Sequence, residues 1–125
     1  MVRYDPLSPP DPADWQATDE AERIRLVEMF HRRARVRIPG PEMHALMHVI
    51  VENQIALGDE IPVRRAALRL MDEGLDRHEA IHAIASVLAG QMFDLAREPT
   101  KASDTTQTYY ARLEQLTAES WRKSG

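Results

Sequence analysis

The sequence predicts an all-α protein, a compact bundle of about five helices preceded by a proline-rich extended segment. The sequence is rich in residues that lose little side-chain conformational freedom on entering a helix, above all Ala, Leu, Met, Glu and Arg. Aromatic residues make up only 6%. No stretch alternates apolar and polar residues with the period of two that marks a half-buried strand. Proline and glycine residues instead divide the 125 residues into successive helical stretches.

Three regions follow from this division. Residues 1–18, which include Pro9 and Pro10, are expected to form an extended segment that Tyr4 and Trp15 hold against the body. Residues 19–98 form the predicted helical core domain, and 99–125 form a linker and a C-terminal helix that packs on the core. The five helices are predicted to run from about Asp19 to Val36, Pro41 to Leu57, Pro62 to Gly74, Asp76 to Arg97 and Thr105 to Lys123.

The second and fourth of these helices are predicted to lie in the middle of the bundle. Residues 44–57 and 78–93 are apolar around most of the helix circumference, which is typical of a helix with neighbours on all sides. The small residues Ala83, Ala85, Ala89 and Gly90 would also allow a neighbouring backbone to approach the fourth helix closely.

Four of the five histidines form two pairs on these central helices. His44 and His48 are four residues apart, as are His78 and His82, and residues at this spacing share one helix face. If the helices face each other, both pairs converge and offer four nitrogen ligands to one ion. Imidazole suits several transition metals, so the sequence predicts a metal site, with zinc as the first choice and iron as the second.

Three other residues are candidates to support this site. Glu52 lies one turn beyond His48, Glu79 follows His78, and His31 lies on the apolar stripe of the first helix. Carboxylates at such positions fix the orientation of ligating imidazoles. Two other interpretations of the histidines stay open: a hydrogen-bonded polar cluster in the core, or a coincidence at the surface. The protein would then be a non-catalytic helical interaction or structural module.

Residues 78–82, His-Glu-Ala-Ile-His, also match the H-E-x-x-H motif of zinc peptidases. The charged Asp76, the lack of a recognisable third ligand downstream and the lack of predicted strands all argue against a peptidase. A histidine-rich di-iron site is a further analogy, since Glu28 and His31 form an E-x-x-H pair, but the order of such motifs is not reproduced. The sequence thus contains no complete catalytic signature and names no small-molecule substrate.

Composition narrows the range of partners. The net charge of −4 disfavours nucleic acid, and the absence of cysteine excludes disulfides and thiolate ligands. The apolar stretches are too short and too interrupted to span a membrane, and no signal-peptide pattern is present. We therefore expect a cytoplasmic protein that binds neither nucleic acid nor membranes. The partner that the sequence leaves open is a second copy of the chain, in a homodimer.

Two segments carry a family resemblance. HVIVENQ (48–54) and LDRHEAIHAI (75–84) resemble an uncharacterised family of short bacterial proteins, a domain of unknown function. The resemblance extends over about residues 19–95. It implies an all-helical cytoplasmic protein and implies no reaction.

Overall fold

The protein is built from helices throughout the part of the chain that the structure describes. The structure, a computed structural model, describes residues 4–33, 41–97 and 105–124, with all their side chains except those of residues 31–33, 41–42, 105 and 124. These ranges contain a 3-10 turn, Gly58–Glu60, and seven α-helices: α1 Pro12–Ala17, α2 Glu20–Arg33, α3 Pro41–Ala56, α4 Val63–Asp72, α5 Arg77–Arg97, α6 Thr105–Gln115 and α7 Ala118–Ser124. The described residues form no strand, so the predicted all-α class is confirmed.

Five of these helices, α2 to α6, have ten residues or more, which matches the predicted number of main helices. None of the described helices is long and apolar enough to cross a lipid bilayer.

The N-terminal segment, residues 4–18, is less extended than the sequence predicts. Pro12–Ala17 form the short helix α1, because Asp11 caps it by accepting the N–H of Asp14 at 3.1 Å and Pro12 occupies the first turn. The side chains of Tyr4 and Trp15 are nevertheless fully buried, as expected for residues that hold the segment to the body.

The predicted C-terminal helix is divided into α6 and α7. Thr117 and Ser120 cap the start of α7 reciprocally: the backbone N–H of each donates to the side-chain oxygen of the other, at 3.1 and 3.0 Å. This exchange satisfies N–H groups that a continuous helix would have used internally, so the chain turns after Gln115.

Two apolar clusters make up the core. The larger lies among α3, α4, α5, α6 and α7, and the smaller lies among the N-terminal segment, α2 and α3. The helix α3 contributes Val51 to the larger cluster and Val49 to the smaller one, so it separates them. α3 and α5 contact each other directly, which brings their histidine-bearing faces together.

No neighbouring backbone uses the space that Gly90 leaves on α5. A Cβ built at Gly90 meets no atom within 4 Å, and Ala89 beside it is exposed. Ala83, nearer the middle of α5, is completely buried. Small residues therefore serve packing in the first half of α5 only.

Candidate metal centre

The four paired histidines meet between α3 and α5. We call His44, His48, His78 and His82 the histidine cluster. Neighbouring ring centroids lie 4.9 Å (His44–His48), 5.1 Å (His48–His78), 4.2 Å (His78–His82), 4.8 Å (His44–His82) and 4.9 Å (His48–His82) apart. The first histidine of each helix lies beside the second of the other, so α3 and α5 run antiparallel here.

The cluster is largely shielded from solvent. His48 is completely buried, and the other three residues are half-buried. The Nε2 atoms of His44 and His78 are themselves buried. Four polar rings in such a place need polar partners or an ion, because a buried polar group without either is costly.

Three of the four imidazoles are close to a chelating arrangement. His44, His48 and His82, which we call the trio, each offer a ring nitrogen, and these three atoms lie within 4.8 Å of one another. Two nitrogens that bind one zinc ion at about 2.0–2.1 Å each are at most about 4.2 Å apart. The Nε2 atoms of His48 and His82 are already 2.8 Å apart. The described carboxylates do not join this group.

His78 belongs to the cluster but not to the trio. Its ring packs edge-on against His82 and, at a centroid distance of 5.4 Å, against Phe30 of α2. His78 thus lies between the trio and the smaller apolar cluster.

A chain of buried polar groups leads away from His48. The Nδ1 atom of His48 lies 3.2 Å from the hydroxyl of Tyr4, which donates to Glu52 Oε2 at 2.6 Å. Arg77 donates to both oxygens of Glu52, at 2.7 and 2.8 Å, and to the carbonyl of Pro6 at 2.9 Å. We call Arg77, Glu52, Tyr4 and His48 the polar chain; their side chains are 5%, 1%, 1% and 0% exposed.

The surroundings of Tyr4 and Arg77 raise the pKa of both groups, so both keep their protons. Burial and the negative charge of Glu52 raise the pKa of the Tyr4 hydroxyl well above its ordinary value, so it stays protonated. Burial acts against the charge of Arg77, but its hydrogen bonds and attraction to Glu52 outweigh that effect and raise its pKa. The polar chain therefore contains a protonated tyrosine and a charged arginine.

Of the supporting residues predicted from the sequence, Glu52 lies near the histidine cluster and Glu79 does not contribute to it. Glu52 lies near the cluster but is bound by Arg77 and Tyr4, so it supports His48 indirectly. Glu79 is exposed in the first turn of α5, where the carboxylate of Asp76 accepts its backbone N–H at 2.8 Å. Glu79 is the residue that would be the general base of an H-E-x-x-H zinc site, and its exposed position does not support that role. The side chain of His31 lies outside the described residues.

Tyr4 and Arg77 are the site residues that the sequence did not reveal. Tyr4 was expected only to hold the N-terminal segment in place. Arg77 directly precedes His78, and a basic residue next to a candidate ligand gives little reason to expect a buried partner on another helix. The signal available for it was Glu52, a carboxylate in an otherwise apolar helix that requires a buried cation.

A shallow groove borders one side of the trio. It encloses about 350 Å³ and is lined by His44 and His82 together with apolar side chains that include Met43, Met47 and Trp121. His48 does not line it. The trio thus has a deep side, formed by His48 and the polar chain, and a side that a small molecule can reach.

Comparison with known proteins gives a family for this chain. A profile of the domain of unknown function DUF1841 matches residues 28–115, well over half of the sequence. The chain belongs to the DUF1841 family. This confirms the resemblance to an uncharacterised domain family. The DUF1841 region includes the histidine cluster, Glu52 and Arg77, and does not include Tyr4. No curated protein and no solved structure matches the chain.

Proposed function

We propose that this protein binds a transition-metal ion through His44, His48 and His82, with His78 as the fourth nitrogen ligand. The observation that carries the proposal is the convergence of three ring nitrogens, from two antiparallel helices, within 4.8 Å of one another. Zinc is the first choice and iron the second, because neutral imidazole ligands suit both ions.

The two helices that carry the trio favour metal binding over a chance proximity of the three rings. α3 and α5 pack against each other and carry the ligands at i,i+4 spacing, so one turn of each helix fixes two rings. Tetrahedral zinc separates its ligand atoms by about 3.3 Å, so the most distant nitrogens must approach each other by up to about 1.5 Å, shared between two side chains. Side chains on rigid helices can make such shifts without movement of the backbone.

The groove beside His44 and His82 gives small molecules access to one side of the proposed metal site. An ion held by the trio would present one side toward this groove, where water or a small ligand can enter the coordination sphere. Catalytic zinc sites combine three protein ligands with such an open position, whereas structural sites are closed. With His78 as the fourth ligand the proposed site is closed, and a small molecule from the groove would have to displace His78 or become a fifth ligand.

One observation favours a second candidate function. The 2.8 Å between the Nε2 atoms of His48 and His82 is also the length of a hydrogen bond between two neutral imidazoles. The histidine cluster would then be a hydrogen-bonded part of the core in a helical interaction module. The cytoplasmic location and a homodimer stay predictions under either function.

Titration calorimetry with zinc separates the two functions. Protein prepared without a polyhistidine tag is expected to bind one equivalent, and the variants His48→Ala and His82→Ala are expected to lose at least about tenfold in affinity, because each removes a ligand. Gln91→Ala is the matched control: it removes a buried polar side chain from the same helix as His82, away from the cluster. Its affinity for zinc should equal that of the wild type.

The same titration identifies the failure of the proposal. Absence of zinc and iron binding by folded wild-type protein, or equal affinity in all variants, would leave the hydrogen-bonded cluster as the function of these residues. Affinity should also fall as the pH drops below about 6, because protons compete for the imidazole nitrogens. Affinity that is constant from pH 7.5 to pH 5 contradicts imidazole ligation.

A further inference from the structure

The hydrogen bond between Tyr4 and His48 has a direction that proton counting decides. The Tyr4 hydroxyl has one hydrogen and lies 2.6 Å from Glu52 Oε2, to which it donates. Glu52 is held as a carboxylate by two hydrogen bonds from Arg77 and has no hydrogen to give back. Toward His48, the Tyr4 oxygen can therefore act only as an acceptor.

The imidazole of His48 must then carry its hydrogen on Nδ1, the atom 3.2 Å from the Tyr4 oxygen. In the neutral ring, this leaves the lone pair on Nε2. Nε2 is the nitrogen that faces His82, at 2.8 Å, in the trio. The polar chain thus directs the metal-binding lone pair of His48 into the proposed site.

We propose that Tyr4 is a positioning residue that holds His48 as the Nδ1–H tautomer and thereby couples the docking of the N-terminal segment to metal binding. The coupling rests on the proposed function, whereas the choice of tautomer does not. Partners that orient a ligating histidine in this way contribute about 10- to 100-fold to metal affinity in other proteins.

The N-terminal segment is attached to the same helix as His48 at a second place. The indole of Trp15 donates to the side-chain oxygen of Asn53 at 2.9 Å, and Arg23 donates to the same oxygen at 2.8 Å. Arg23 also donates to the backbone carbonyls of Gln16 and Thr18, at 2.8 Å each. The segment therefore docks on α3 at His48, Glu52 and Asn53, and also at the carbonyl of Ala56, to which Gln16 donates at 3.1 Å.

Coupling between two binding events is reciprocal. If docked Tyr4 strengthens metal binding by some factor, bound metal must strengthen the docking of the segment by the same factor. An ion at the trio would then hold the N-terminal segment closed, and loss of the ion would release it more often. The segment lies outside the region that matches the DUF1841 profile, so the coupling would join residues outside that region to the histidine cluster inside it.

Two-bond ¹H–¹⁵N NMR of metal-free protein tests the tautomer directly. We expect the wild type to show His48 protonated on Nδ1 and unprotonated on Nε2, and Tyr4→Phe to lose that preference. Phe keeps the ring that packs against Trp15 and Phe30, so the fold should survive. Tyr109→Phe is the matched control, because it removes a buried hydroxyl that donates to Gln54 at 2.7 Å, away from the histidine cluster. It should leave the His48 spectrum unchanged.

Zinc affinity tests the coupling. Tyr4→Phe should weaken zinc binding by about 10- to 100-fold, and Tyr109→Phe should not. In the wild type, zinc should slow hydrogen exchange of the Trp15 indole N–H, which reports on docking of the segment, by a similar factor.

Each outcome has a definite meaning. A wild-type His48 protonated on Nε2 overturns the positioning role of Tyr4. Equal zinc affinity in the two tyrosine variants, or exchange at Trp15 that zinc leaves unchanged, overturns the coupling. An Nδ1–H tautomer in a protein that binds no metal overturns the proposed function and its coupling, and supports the role of Tyr4 in orienting His48.

Discussion

At the scale of single residues, the most consequential interaction is the buried ion pair between Glu52 and Arg77. Both side chains are almost completely buried, and their two hydrogen bonds are short. Taking two charges out of water is costly, and their mutual attraction offsets that cost only while both are present. The pair is therefore better understood as fixing the position of Tyr4 than as a large net source of stability.

Removal of one partner should be strongly destabilising. We expect Arg77→Met to lower the free energy of unfolding by about 3–5 kcal/mol, because Glu52 is left as an unpaired buried charge. Arg112→Met, which breaks the half-exposed pair with Asp94, should cost at most about 1 kcal/mol. Urea denaturation measures both values.

A double variant, Glu52→Leu with Arg77→Met, separates the two contributions. It should be more stable than Arg77→Met alone, since no unpaired charge stays buried. If Arg77→Met is as mild as Arg112→Met, the polar chain does not have the burial described for it.

At the scale of elements, two glycines show that this residue has opposite effects at the end of a helix and inside one. Gly58 follows the end of α3 with φ +67°, a left-handed conformation that side chains with a Cβ adopt at a cost. Gly90 lies within α5 and in open space. In a helix interior glycine is less favourable than alanine, because it loses more conformational freedom.

The same substitution at these positions should therefore act in opposite directions. Gly58→Ala should lower the free energy of unfolding by about 1–2 kcal/mol, since only the backbone conformation is penalised there. Gly90→Ala should raise it by up to about 1 kcal/mol. Chemical denaturation of the two variants beside the wild type checks the signs; effects of the same sign contradict the assigned conformations.

At the scale of the whole molecule, local patterns predicted the helices, and contacts distant in sequence decided the rest. Apolar periodicity and the Pro and Gly breaks located the five main helices, because those signals act within one helix. The division at Leu116 depended on a reciprocal cap between Thr117 and Ser120, a weaker pattern than the capping box with Glu. The helix α1 depended on Asp11 in a segment where prolines dominate the pattern.

In the candidate site, too, local patterns predicted one part and contacts distant in sequence decided the other. The i,i+4 spacing placed each histidine pair on one face, and the apolar character of both helices placed those faces in the core. The contact of Tyr4 with His48 spans 44 residues, and that of Arg77 with Glu52 spans 25. No spacing rule reaches across such distances, so only the folded arrangement reveals the polar chain.

We expect the histidine cluster to bind a metal ion through imidazole nitrogens. X-ray absorption at the zinc edge of untagged protein, loaded with one equivalent and desalted, tests it most directly. We expect nitrogen ligands at about 2.0–2.1 Å with the scattering pattern of at least three imidazole rings. Zinc that is washed away, or a retained ion surrounded by oxygen ligands without imidazole scattering, would contradict the claim.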